Sequence, residues 1–372
     1  MPAPTRHLPV LDFSLLSSTD LADVSRFVAE LRHAALRVGF FYVENHGVDE
    51  RVQREMVEQA RRFFRLSLKE KGEIAMEGSP HFRGYTRIGE TARLRPRAPT
   101  AHTRAGFPSA PQHPGPEPVA ARVERAQIPG RDARVHGGAV WRCEKADARR
   151  HQVGGVRGTV RRVRLGPADF VEYRYPPMGD EVDRPVDHGL GVGPHKDYGF
   201  LTVLMQDDVG GLQVQTADGE WIVCIPKIPS NSFNLRHQRR SSNTSYSTFP
   251  QDATPIPNTF VINIGEAFER LTQRCYVATT HRVLNNAAGR DRISVPVFFN
   301  PAVDARMPDV RVPDDILALA PARVISDVKE HQLLQDSIYG VNAFKGLSRS
   351  HVNVFERWYV VSEEGTVRRK EG

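Results

Sequence analysis

Apolar positions recur along this chain at two different spacings, and the change of spacing marks a change of architecture. Leu21, Val24, Phe27, Val28, Leu31 and Ala35 fall three or four apart, as in a helix that buries one face. Ser17-Ser18-Thr19-Asp20 stand just before them and offer N-caps. A short strand is predicted over 8–13 and a second over 38–43, ended by Asn45-His46-Gly47. Val52, Met56, Ala60, Phe63 and Phe64 then mark a second amphipathic helix. Both stripes are expected to be core. His46, in a turn beside glycine, is expected to be structural and is not taken as a ligand.

From Phe170 onward the pattern becomes that of short strands: 170–175, 200–206, 211–215, 221–224, 259–264, 276–284 and 293–299. Gly210-Gly211 and Asp218-Gly219 supply turns between them. One or two helical turns are predicted over 266–271, and helical patterns over 327–339 and 348–359, with Gly340 as the stop of the first. Many short strands with few helices between them point to a mainly β fold, a double-sheet barrel or jelly roll with flanking helices.

Two stretches fit neither pattern. Over 91–166 Arg, Ala, Pro, Gly and His dominate, and prolines stand at 96, 99, 108, 111, 114, 116, 118 and 129. A structureless stretch of this length is foreign to a compact domain. A disordered insertion or a shifted reading frame would each give this composition. A Ser-Asn-Thr-rich stretch at about 230–255 is the second, read as a surface loop or a translated intron. The chain thus divides into an N-terminal region at 8–90, the atypical basic segment at 91–166, and a core at 167–360 carrying the insertion.

Composition narrows the function. The net charge is +7, but residues 91–166 hold sixteen Lys or Arg against five Asp or Glu, a local +11 that leaves the rest at −4. Only Phe107 and Trp141 are interleaved with those arginines, so no stacking platform for nucleic acid is expected. No run of eighteen apolar residues suggests a membrane span, and the N-terminus lacks a signal-peptide core. Cys143, Cys224 and Cys275 are scattered and odd in number, which fits a reducing compartment. A soluble cytoplasmic protein with a small-molecule substrate, and no nucleic-acid or membrane partner, is the expectation; the oligomeric state is left open.

The candidate chemistry lies in His195 and Asp197, one residue apart, and His281 far downstream. Residues two apart on a strand point to one face, so the first two can grip one ion while Lys196 points away. Two imidazoles and one carboxylate on one side of a metal leave the opposite positions open, the facial arrangement of non-haem Fe(II) oxygenases. A His-x-Asp tripeptide alone is a weak signal. Its surroundings strengthen it.

Gly193-Pro194-His195-Lys196-Asp197-Tyr198-Gly199-Phe200-Leu201-Thr202-Val203-Leu204 resembles the HxDxGxLTLL signature of the 2-oxoglutarate and Fe(II)-dependent dioxygenases, the family that includes isopenicillin N synthase. Gly39–Val48, Gly210–Val214 and Phe260–Glu266, the last similar to the family's VNIGD element, follow in the family's order. Arg292-Ile293-Ser294 looks like its RxS motif. Gln273-Arg274-Cys275 departs from the pattern, since the family usually has an Asn-Gly turn there. The resemblance covers about 8–90 and 170–360, apart from the insertion, and 91–166 matches nothing in it.

The resemblance implies a double-stranded β-helix with iron held by His195, Asp197 and His281. It implies that Arg292 and Ser294 bind the far carboxylate of 2-oxoglutarate, since guanidinium is a planar, permanently charged fork for that group. Tyr175 matches a family tyrosine that reaches the co-substrate, and equally fits an ordinary strand-end aromatic. Fe(II), 2-oxoglutarate and O2 are the implied cofactors, with ascorbate as an optional accessory. The implied activity is oxidation of a small organic molecule, by hydroxylation, desaturation or cyclisation, in specialised metabolism. Two alternatives stand beside it. One is an isopenicillin N synthase-like oxidase that does not use 2-oxoglutarate. The other is a homologue, degenerate or translated from a wrongly assembled gene, that keeps the ligands without the function.

Overall fold

Asp20 accepts a hydrogen bond from the Ala22 amide at 2.8 Å and starts α1 (Leu21–Arg37) where the pattern predicts it. The buried face of α1 is Val24, Phe27, Ala34, Ala35 and Leu36, while Leu21 in the first turn projects into solvent. That face lies on β1 (Val10–Asp12) and β2 (Phe40–Glu44), a parallel pair, with Phe27 and Ala34 packed against Leu11, Phe41 and Val43. Asp49 caps α2 (Glu50–Arg65), whose Ala60 is buried against Met205, Phe260, Ile293 and Val295. The short α3 (Leu68–Gly72) opens with a capping box between Ser67 and Glu70. Truncating a buried phenylalanine such as Phe27 costs about 3–5 kcal/mol, so these two helix faces are a large part of what holds the sheet.

The computed structural model describes residues 8–87, 165–166, 168–177, 190–216, 219–223, 255–284, 289–308, 310–320, 337–362 and 367–370. The atypical segment from 91 to 164, the second stretch up to 254, the helical pattern over 327–336, Cys143 and Cys224 lie outside them. Among the described residues no helix is long and apolar enough to cross a membrane. Cys275 is buried, its Sγ 3.9 Å from Ile316 O.

The remaining strands are β3 (Asp169–Phe170), β4 (Tyr173–Tyr175), β5 (Leu190–His195), β6 (Leu201–Gln206), β7 (Leu212–Gln215), β8 (Trp221–Val223), β9 (Phe260–Ile264), β10 (His281–Leu284), β11 (Arg292–Phe299), β12 (Tyr359–Val361) and β13 (Val367–Arg369). A larger sheet runs β1-β2-β9-β6-β11-β3, with β4 also paired to β11. A smaller one runs β5-β10-β7-β8, and β12 pairs β13. From β4 to β11 the chain passes repeatedly between the two main sheets, and apart from β1–β2 all pairs are antiparallel. This is a double-stranded β-helix, a form of the jelly roll to which the strand pattern points and the form that the resemblance implies. Phe40, Tyr42, Tyr175, Val261, Leu212, Val214 and Val283 come from both sheets and fill the space between them. Alternate residues of the larger sheet face the other way, onto α1 and α2, which is why β2 is apolar at four successive positions.

Three expectations need correction. The strand predicted over 276–284 begins only at His281: Tyr276 and Ala278 are buried, but Tyr276 belongs to the core cluster with Ala35 and Leu271, and Val277 N bonds Ala35 O rather than a ladder. Strand β5 is absent from the strands the apolar pattern predicts, because Leu190-Gly191-Val192-Gly193-Pro194-His195 carries two glycines and a proline, and the strand assumed for His195 and Asp197 ends at His195. Gly340 is no helix stop. It lies inside the helix Tyr339–Ser350, where a Cβ would stand 2.3 Å from Val303 O. A further helix, Val352–Trp358, then gives way to β12 at Tyr359.

Candidate active site

His195 and His281 stand directly opposite each other in the β5–β10 register, and their ring centroids are 4.2 Å apart. Asp197 lies two residues past His195, just beyond the end of β5 rather than on it. The shared strand face expected for the pair is therefore replaced by a turn, which reaches the same result. Asp197 Oδ1 is 3.7 Å from Nε2 of each histidine, and one ligand atom from each residue lies within 4.8 Å of the other two. Lys196 points away, toward Glu269 Oε2 at 3.7 Å.

The ring orientations follow from backbone contacts. Nδ1 of His195 is 2.9 Å from Gly193 O, and Nδ1 of His281 is 3.2 Å from Thr279 O. A carbonyl oxygen only accepts, so each Nδ1 carries the proton and each Nε2 keeps its lone pair for an ion. Burial pushes His281 down to about 4, with His195 adding to the effect, so the ring is neutral at pH 7. Burial works to raise the Asp197 carboxyl, but the two histidines and the hydrogen bonds from Asn263 and Thr202 outweigh it and hold it below the ordinary value. A carboxylate held ionised, with Nε2 of each imidazole 3.7 Å from its Oδ1, is the donor set a divalent ion requires.

The backbone of this turn is tied to the helix α4 (Glu266–Leu271). Glu266 N donates to Asp197 O at 2.8 Å, and Gly265 N to Phe200 O at 2.9 Å. The contact leaves no room for a side chain: a Cβ on Gly265 would lie 2.2 Å from Gly199 O.

Farther along the barrel lies a cation. Arg292 is 1% exposed; its Nη2 donates to Gln206 Oε1 at 3.0 Å, while Nε and Nη1 have no hydrogen-bond partner among the described residues. The guanidinium lies 4.7 Å from the centroid of the Tyr175 ring, and Ser294, also buried, is two residues along the same strand. Thr202, beside the metal ligands, and Gln206, beside the guanidinium, are four residues apart on β6, or about 13 Å along the strand. An unpaired buried charge costs about 3–5 kcal/mol relative to a paired one, so these orphaned donors call for an anion. Thr202 and Gln206, four apart on β6, share one face of the strand, so an anion reaching from an ion at the candidate ligands toward Arg292 would lie along that face.

Known proteins agree with this architecture. Residues 8–120 match the model of the non-haem dioxygenase in morphine synthesis N-terminal family, and residues 168–249 and 229–301 match that of the 2OG-Fe(II) oxygenase superfamily. The chain belongs to the 2OG-Fe(II) oxygenase superfamily. The first match runs past Thr91 to residue 120, so the basic segment is not wholly foreign to the family. A 2-oxoglutarate-dependent dioxygenase, frbJ, of Dothideomycetidae sp. is 28% identical over 330 residues, 84% of this chain and 79% of its own. A 1-aminocyclopropane-1-carboxylate oxidase of Dictyostelium mucoroides is 26% identical over 350 residues, 80% and 83% of the two chains. The full-length T7H of Neurospora crassa, solved in complex with alpha-KG, shares the fold, with a TM-score of 0.57 at 20% identity over 92% of this chain and 96% of its own.

Within this oxygenase, the sequence reading passes over three residues at the site. Thr202 and Asn263 donate to Asp197 Oδ2 at 2.5 and 2.7 Å. Both lie in the motifs that carry the resemblance, but their shared target depends on a pairing sixty residues apart. Tyr173 stands opposite Ser294 in the β4–β11 register. Only its alternation with Tyr175 on β4 could have pointed to it.

Proposed function

We propose that this 2OG-Fe(II) oxygenase holds Fe(II) through His195, Asp197 and His281 and binds 2-oxoglutarate through Arg292, Ser294 and Tyr175. Its reaction is the oxidation of a small organic molecule, by hydroxylation, desaturation or cyclisation, in specialised metabolism. The observation that carries this reading is the pair of orphaned, buried nitrogens on Arg292, in a barrel whose three candidate ligands converge at its other end. When bound, iron, O2 and 2-oxoglutarate supply an oxidation coupled to decarboxylation of the co-substrate to succinate and CO2, with ascorbate as an optional accessory.

The protein's part is positional. The two Nδ1–H groups, each directed at a backbone carbonyl, aim the imidazole lone pairs. Gln206 and Tyr175 hold the guanidinium in place for a carboxylate. Ser294 adds a hydroxyl on the same strand. Relatives named as 2-oxoglutarate-dependent enzymes, frbJ among them, support this reading. Residues 8–90 and 167–360 act together as the catalytic unit, in the cytoplasm, on a small molecule rather than on nucleic acid or a membrane.

The test is anaerobic titration of the purified chain with Fe(II) and then 2-oxoglutarate, following the weak visible metal-to-ligand charge-transfer band. The band is expected. Its absence in folded, iron-loaded protein would favour an oxidase that does not use 2-oxoglutarate, a reading motivated by the relative named an oxidase. Failure to bind iron would leave a degenerate homologue.

A further inference from the structure

Thr202 and Asn263 face each other directly in the β6–β9 register, both almost fully buried. Their side chains converge on one atom. The Thr202 hydroxyl donates to Asp197 Oδ2 at 2.5 Å, and Asn263 Nδ2 donates to the same oxygen at 2.7 Å. A carboxylate oxygen has two lone-pair positions, and here both are taken. Oδ1 is the oxygen left over, and it is the one 3.7 Å from each histidine Nε2.

We infer that Thr202 and Asn263 are positioning residues that confine Asp197 to coordination through a single oxygen, and so keep open a metal position that the co-substrate needs. The inference rests on the Fe(II) and 2-oxoglutarate reading above. An octahedral ion with three protein donors has three free positions, two for a chelating 2-oxo acid and one for O2. An aspartate bound through both oxygens would take one of them.

The surrounding structure makes this constraint specific. Glu266 N holds the Asp197 carbonyl at 2.8 Å, so the backbone stays in place when the side-chain donors are removed. What those donors restrain is rotation of the carboxylate. Two charge-assisted hydrogen bonds to Oδ2 are lost if it turns toward the ion. Without them, both oxygens become available to the metal. A donor that merely orients its ligand behaves differently: its removal weakens the ion and leaves the co-substrate unaffected once the ion is loaded.

Thr202→Val and Asn263→Leu each remove one donor with little change of shape, and Thr202→Ser keeps the hydroxyl. The full-length chain, checked for a cooperative melt, is titrated anaerobically with Co(II), and the Co(II)-loaded protein with 2-oxoglutarate. In Thr202→Val and Asn263→Leu the affinity for 2-oxoglutarate should fall about tenfold or more, and by more than the affinity for Co(II). Thr202→Ser should stay near wild type in both. A loss of 2-oxoglutarate affinity no larger than the loss of Co(II) affinity overturns the inference, with or without a change in metal binding. Either variant suffices if the other does not fold. Wild-type protein that binds no Co(II) defeats the iron reading itself, whereas wild-type protein that binds both, with no split in the variants, defeats only this inference.

Discussion

Arg292 and Tyr175 are register partners across β4 and β11, and the guanidinium rests over the ring of its partner at 4.7 Å. The ring faces one side of the cation, Gln206 takes one nitrogen, and two nitrogens are left to bind. Arg292→Ala should raise the 2-oxoglutarate concentration for half-saturation about a hundredfold, the loss of a buried charged contact, and leave metal affinity near wild type. A co-substrate titration of metal-loaded protein reads this directly. Unchanged dependence on 2-oxoglutarate would remove Arg292 from the site.

Tyr175 separates two roles. A cation–π contact with a desolvated arginine is worth about 2 kcal/mol. If only the ring matters, Tyr175→Phe should bind 2-oxoglutarate nearly as wild type, and Tyr175→Leu should weaken it by ten- to thirtyfold, the factor about 2 kcal/mol represents. Equal losses in both variants would show that the hydroxyl itself reaches the co-substrate.

Metal should stabilise the fold. A ligand present at a hundred times its Kd adds about 2.7 kcal/mol of stability. Fe(II), added anaerobically, is expected to raise Tm, and a chelator should reverse the shift. His195→Ala, Asp197→Ala and His281→Ala should melt cooperatively without that shift. A variant that still gained stability from Fe(II) would not have lost a ligand.

Gly265→Ala should damage the site through the backbone. The added Cβ meets Gly199 O at 2.2 Å, in the turn that follows Asp197. A cost of about 1–3 kcal/mol is expected, together with weakened metal binding. Gly78→Ala, where a Cβ meets nothing within 4 Å, is the control that should do neither.

Arg274→Gly should be stabilising. Gln273 and Arg274 both have positive φ, 53° and 61°, between Thr272 and Cys275, whose Thr272 O and Cys275 N bond at 2.8 Å. That is a hairpin-type turn that favours Asn-Gly. Relieving one left-handed side chain should gain about 1 kcal/mol, read as a higher denaturation midpoint.

These positions also show what a linear reading can reach. His195 and Asp197 stand out by their spacing only together with their surroundings, and Arg292 and Ser294 only through the motif that carries the resemblance. Pairings remote in sequence do not stand out: nothing local connects Thr202 with Asn263, or His195 with His281, before β6 meets β9 and β5 meets β10. Strand β5 is hidden because Gly191, Gly193 and Pro194 lower its apparent strand propensity, although the Tyr175 ring needs the missing side chain at Gly191, where a Cβ would approach Cδ1 to 2.7 Å. The turn at Gln273-Arg274 was visible only as a departure from a pattern, and its strain is a backbone property that composition does not display.

The three candidate ligands are unequally shielded. The side chain of His195 is 40% exposed, against 10% for Asp197 and 9% for His281. An ion held between them would have one open flank, on the His195 side, and a chelator would reach it from there. A substrate that covered His195 would close that flank, and loss of the ion to a chelator would then slow for as long as the substrate stayed bound.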